Sequence, residues 1–151
     1  MWNVKVNSVS FLVLGLLACL LVAMSLNTQA STFEAKHKIV IQVSTDDPKV
    51  QTIALNNAAN LQKEYGMDQI EIEIVGYGPG LGLLTQNNAN STRVKSLAAQ
   101  DIRFSACGNT MDKVTRKTGK RPELTEGVKT VKAGVGRIME LQAAGYAYIR
   151  P

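Results

Sequence analysis

Sulfur and imidazole are scarce in this chain, which has two cysteines and one histidine in 151 residues. Cys19 lies inside an N-terminal apolar stretch, so Cys107 is the one sulfur nucleophile left if that stretch is removed. One cysteine makes no internal disulfide, although export implies an oxidising compartment. The remaining thiol is then buried and inert, paired between chains, or used. His37 opens a strand-like run, at the end opposite to Cys107. A Cys–His hydrolase is therefore disfavoured, and one histidine with one cysteine makes no metal site. Aromatic residues are few and there is no arginine-rich run or RNA-binding signature, so nucleic acid is not an expected partner. No three glycines have the G-x-G-x-x-G spacing of a dinucleotide fingerprint.

The first thirty residues read as a leader rather than as part of the fold. Lys5 and the amino terminus form a weakly positive start, and Phe11 to Met24 is almost wholly apolar. That run, about 14 residues, is short of the roughly 20 that span a bilayer. Thr28-Gln29-Ala30 then sets small residues at the −3 and −1 positions before Ser31, the layout of a secretory signal peptide. The expectation is cleavage after Ala30, a periplasmic or secreted protein, and no stable membrane association afterwards. An uncleaved anchor is the alternative. So is a lipoprotein, since Leu16-Leu17-Ala18-Cys19 loosely resembles a lipobox, but the apolar run continues past Cys19. Residues 31–151, roughly 120, suit one domain. Loss of Lys5 lowers the formal net charge from +5 to about +4, mildly basic.

Strand-like and helix-like segments alternate through this domain. His37 to Ser44 is a β-branched first strand. Asp46-Asp47-Pro48 starts a helix, with proline in its first turn. Val50, Ile53, Ala54, Ala58, Leu61 and Tyr65 give that helix an apolar face, and Gly66 ends it in a left-handed conformation. Ile70, Ile72 and Ile74 alternate with Glu71 and Glu73, a strand with one better-buried side near a sheet edge. The segment Gly76-Tyr77-Gly78-Pro79-Gly80-Leu81-Gly82 follows, then Leu83 and Leu84, offered as subunit contacts. Residues 91–99 form a short helix, with Val94, Leu97 and Ala98 inward. Ile102, Phe104 and Ala106 make a third strand that ends at Cys107. Asn109 caps a helix from Thr110 to about Thr118, with Asp112 in a capping box and Gly119 at its end. Val128 and Val131 suggest a short strand. Gly134 to Ala144 is a final helix with Val135, Ile138, Met139 and Gln142 on one side, and Tyr146 to Arg150 is a last strand. This order implies a single three-layer α/β domain: a mostly parallel sheet of about five strands with helices on both faces.

Parallel sheets bind ligands beyond the carboxyl ends of their strands. Ser44, the Gly76 loop and Cys107 all fall there. A thiol facing a helix N-terminus has its thiolate favoured. Lys113, Arg116, Lys117, Lys120 and Arg121 add positive potential, or form an ordinary solvated face. Gly108, Asn109 and Thr110 are the nearest donors to the sulfur. The rim loop with Gly76, Tyr77, Gly78 and Gly80 either cradles an anion on its amides or lets the chain turn. Asp46 and Asp47 are best explained as helix caps.

The stretch Arg103-Phe104-Ser105-Ala106-Cys107-Gly108-Asn109-Thr110-Met111, with Val75-Gly76-Tyr77-Gly78 upstream, resembles the DsrE/DsrF-like family. So does the closing segment from Lys132-Ala133-Gly134-Val135 through Glu140 to Pro151. The likeness spans about residues 37–151. It implies a small α/β fold assembled as trimers or hexamers. It also implies that Cys107 matches the cysteine that holds sulfur as a persulfide in the sulfur-relay members. A leader departs from those cytoplasmic members, so their pathway does not carry over.

Three readings follow. In the first, the protein is an exported sulfur carrier or sulfurtransferase. Cys107 takes and gives sulfane sulfur, with a donor or acceptor protein as partner and without metal or organic cofactor. In the second, it is a non-catalytic oligomeric module that binds a small anion or a protein partner at the same rim. In the third, Cys107 forms a disulfide between chains.

Overall fold

The computed structural model describes residues 37–151; the expected leader, its expected cleavage after Ala30, and Cys19 lie outside them. Among the described residues no helix is long and apolar enough to cross a membrane. The elements are β1 (His37–Val43), α1 (Pro48–Tyr65), β2 (Ile70–Gly76), a 3-10 segment (Gly78–Leu84), α2 (Ser91–Ala98), β3 (Arg103–Cys107), α3 (Gly108–Thr118), β4 (Val128–Val131), α4 (Gly134–Ala143) and β5 (Ala147–Ile149). All five strands are parallel, in the order β4-β3-β2-β1-β5. The expected single α/β domain with a parallel five-stranded sheet is present.

The strand order dictates the layers. From β1 to β4 each strand is laid beside the last in one direction, and right-handed crossovers put their connections on one face. There Ile41, Val43, Ile72, Ile74, Phe104 and Ala106 pack with Ala54, Leu55 and Ala58 of α1, Leu83 and Leu84 of the 3-10 segment, Val94 and Leu97 of α2, and Met111 of α3. The step from β4 back to β5 runs the other way and carries α4 to the opposite face. Ile138 and Leu141 there meet Val40, Val75 and Tyr146.

Local signals hold where they are chemical. The Asp47 side chain accepts from the Lys49 N–H at 2.8 Å, a cap worth about 1 kcal/mol. Gly119 ends α3 in the left-handed region. Several faces differ from the apolar pattern. The buried stripe of α1 is Gln51, Ala54, Leu55, Ala58 and Gln62, while Ile53 and Tyr65 are exposed. Gln51 and Gln62 can be buried because their amides donate to the carbonyls of Thr45 and Gln100. Gly66 has positive φ but extended ψ, outside the left-handed helical region. Leu83 and Leu84 are fully buried and offer no subunit contact. In α4 the inward residues are Gly134, Ile138 and Leu141, and Val135 and Met139 face outward. Finally, β2 is the middle strand rather than an edge.

Candidate active site

Cys107 ends β3, level with Val131 at the end of β4. From these neighbouring strands α3 leaves to one face of the sheet and α4 to the other. Adjacent connections that part in this way open a crevice at the carboxyl rim, where α/β sheets bind ligands. Cys107 stands in that crevice at 6 % exposure, the one free cysteine among the described residues.

α3 begins there directly from its strand, and α4 begins two residues beyond the end of β4. Cys107 is itself the N-cap of α3, in extended conformation, and Gly108 is the first helical residue. Asn109 is therefore not the cap. Its N–H reaches the Lys132 carbonyl at 3.2 Å, tying α3 to the end of β4. Asp112 makes no capping box; it pairs with Arg121 at 2.6 Å. Ala133 caps α4 and Gly134 opens it. A β-carbon on Gly134 would stand 2.9 Å from the Tyr77 Cβ and 3.2 Å from the Cys107 Cβ, so only glycine lets this turn close on the thiol.

The thiol is consequently ringed by donors from two helix N-termini. Burial pushes its pKa up. The Thr110 hydroxyl and the backbone amides of Gly134, Thr110 and Asn109 outweigh that and hold it below the ordinary thiol value. Thr110 is oriented from the rim loop. Its oxygen accepts the Gly78 N–H at 3.0 Å, which leaves its own proton for the sulfur.

The rim loop is built rather than loose. The Tyr77 N–H goes to Val43 at 3.2 Å, the Gly78 N–H to Thr110, and the Gly80 N–H to Tyr77 at 3.0 Å. These three amides are committed to hydrogen bonds inside the protein, and the Gly78 amide fixes Thr110. Gly76 lies beneath Leu84, and Gly80 lies against the Val43 carbonyl, where a β-carbon would come within 2.1 Å. A cavity of about 530 Å³ borders the same loop, lined by Gly78, Pro79, Leu81, Val114, Lys120 and Arg121 among others, but Cys107 does not line it.

The basic cluster is at the other end of α3. Arg116 and Lys117 stand in its last turn, where they complement the helix dipole, and Lys120 and Arg121 are paired with Glu123 and Asp112. His37 stacks on Tyr65 with ring centroids 4.1 Å apart, at the amino end of β1, remote from the crevice. Asp47 caps α1. Gly134 is the participant that sequence reasoning missed. Its signal is a partial repetition: on two adjacent strands a glycine-led helix follows the strand end, directly at Cys107-Gly108 and after two residues at Val131-Lys132-Ala133-Gly134.

Comparison with known proteins agrees with this architecture. The model of the DsrE/DsrF-like family matches residues 37–151. The chain is similar to a solved structure from Methanobacterium thermoautotrophicum, described as protein of unknown function MTH1491, with 34% sequence identity and a TM-score of 0.68. That match covers 76% of this chain and 99% of the other. No curated protein matches. A parallel sheet in the order 4-3-2-1-5, a lone cysteine at the end of β3 and a family match across the described residues give one conclusion: the chain belongs to the DsrE/DsrF-like family.

Proposed function

We propose that this protein carries sulfane sulfur on Cys107 as a persulfide. The observation that supports it most is the convergence of two helix N-termini and the Thr110 hydroxyl on one thiol. Family membership, which suggests a sulfur-relay type of role, supports it independently. In the loading step the Cys107 thiolate attacks the outer sulfur of a donor persulfide. A new S–S bond forms at Cys107, the donor's S–S bond breaks, and the donor leaves as a thiolate. An acceptor thiolate reverses the sequence, taking the outer sulfur and returning Cys107 as thiolate. The electrons balance without metal or organic cofactor. The same donors that favour the thiolate favour the persulfide anion and make Cys107 a good leaving group.

The proposal extends to setting. The N-terminal segment supports an exported, periplasmic or secreted protein beginning at Ser31, read out by fractionation and N-terminal sequencing. Val135 and Met139, exposed one turn apart on α4 at 53% and 67%, support a homo-oligomer, trimer or hexamer, read out by light scattering. The deciding experiment is peptide-level mass spectrometry of the folded chain after incubation with a polysulfide. A gain of one sulfur confined to Cys107 is expected. No gain, or gain only after denaturation, refutes the carrier role.

A further inference from the structure

Glu73 is 1 % exposed on the middle strand of the sheet. A buried carboxylate persists only where it is paired and hydrogen-bonded. Glu73 receives Arg137 through Nε at 2.8 Å and Nη2 at 2.8 Å, a two-pronged contact. It also accepts the Ser105 hydroxyl at 2.7 Å and Arg103 Nε at 3.1 Å. All three partners, Arg103 and Ser105 of β3 and Arg137 of α4, belong to the elements that build the thiol site. Ser105 is two residues before Cys107 on β3, and Arg137 is three residues after Gly134 on α4. One carboxylate therefore ties the strand that carries the sulfur to the helix that brings an amide to it.

The apolar anchors of α4, Ile138 and Leu141, lie in its later turns. They set how deeply the helix sits on the sheet, but nonpolar contacts do not fix where its first turn points. A planar fork on a carboxylate does fix orientation. We infer that Glu73 and Arg137 are positioning residues, whose fork holds the first turn of α4 so that the Gly134 amide stays on the Cys107 sulfur. The inference rests on Cys107 being the sulfur-bearing group. Other charged groups face this region: Arg103, Lys129 and Asp101 line the same side of β3 and β4, and Glu140 pairs with Arg137 at 3.2 Å. Tyr77 packs against Gly134.

Charge and position can be separated. Glu73→Gln removes a negative charge, so a pure field effect would make the thiolate easier to form. Loss of the fork makes it harder. Arg137→Lys keeps the charge and loses the fork, so a field effect predicts no change. The thiol is titrated by its ultraviolet absorbance in the full chain carrying Cys19→Ser, with circular dichroism as the check on folding. Both variants are expected to lower the thiolate population at a fixed pH below the midpoint by about threefold, the worth of part of one amide hydrogen bond. An easier or unchanged ionisation in Glu73→Gln overturns the inference, as does an unchanged one in Arg137→Lys. Arg137 is 31% exposed, so Arg137→Lys is expected to fold and decides alone if Glu73→Gln does not. Sulfur uptake is measured in parallel. Wild-type protein that takes no sulfur while both titrations move refutes the carrier role only. Uptake with unmoved titrations refutes the positioning role only.

Discussion

Replacing Thr110 by valine should slow Cys107 in one pH range and quicken it in another. Valine keeps the shape and removes the hydroxyl that accepts the Gly78 N–H at 3.0 Å and donates to the sulfur. A hydrogen bond to a charged group is worth about 1.5–3 kcal/mol. At the lower end, the thiolate population below the midpoint falls about tenfold. The more basic thiolate is also more nucleophilic, by about threefold for a one-unit rise at a Brønsted slope of 0.4–0.5. The net rate with a small aromatic disulfide is then about threefold lower below both midpoints and about threefold higher above them. The two pH–rate profiles cross. Loss of the acceptor for Gly78 should also cost about 1 kcal/mol of stability, a fall in Tm of about 4 °C. Thr110→Ser restores the hydroxyl and should bring back the wild-type profile. The assay uses the Cys19→Ser background and reads both rate and thiolate absorbance. Superimposable profiles for wild type and Thr110→Val would refute the reasoning, since the hydroxyl would then contribute nothing to the thiolate.

Two further outcomes follow from the packing. Burial raises the Glu73 pKa, but bonds from Arg137 and Ser105 with the charges of Arg137 and Arg103 hold it below the ordinary value; the Tyr146 hydroxyl and Arg103 do the same for Glu71 against burial. Depressed carboxylates contribute stability that is complete above their unfolded value of about 4.3 and is lost as pH falls through their folded values. Urea midpoints should therefore drop on acidification below about pH 4.3, and a midpoint that rises there contradicts the pairing. Gly80→Ala should cost more than about 3 kcal/mol, because its β-carbon would meet the Val43 carbonyl at 2.1 Å; a variant with near-native melting would show that the loop can retreat.

What could be read from the sequence is what is local. Alternating isoleucines from 70 to 74 give β2 and its faces, and Asp47-Pro48 gives the start of α1. Position beyond that depends on partners far along the chain. The Glu71/Glu73 side looks like a solvent face by alternation, yet Glu73 is buried because Arg137, on α4, lies over it. The apolar pattern of α1 misses Gln51 and Gln62, buried beside its alanines because their amides reach the carbonyls of Thr45, six residues back, and of Gln100, 38 residues on. Residue preference makes Asn109 a cap; the pairing of β3 with β4 instead sends its N–H to Lys132, and the helix starts at Gly108, two residues sooner. The cysteine at a strand end and the helix from Gly134 are legible in the sequence, whereas the meeting of that helix with the thiol is not.

The placement of β5 has a consequence for how the chain is made. β1 pairs on one side with β2 and on the other with the last strand, Ile39 with Ala147 and Ile41 with Ile149. Until β5 is made and paired, the Ile39-Val40-Ile41 backbone presents an open edge of β-branched residues, the kind of template on which chains aggregate. β5 thus acts as a cover over β1. A form in which β5 is not paired would keep the thiol crevice on paper and lose the protection of its own sheet, so it would depend on chaperones in a way the folded domain does not.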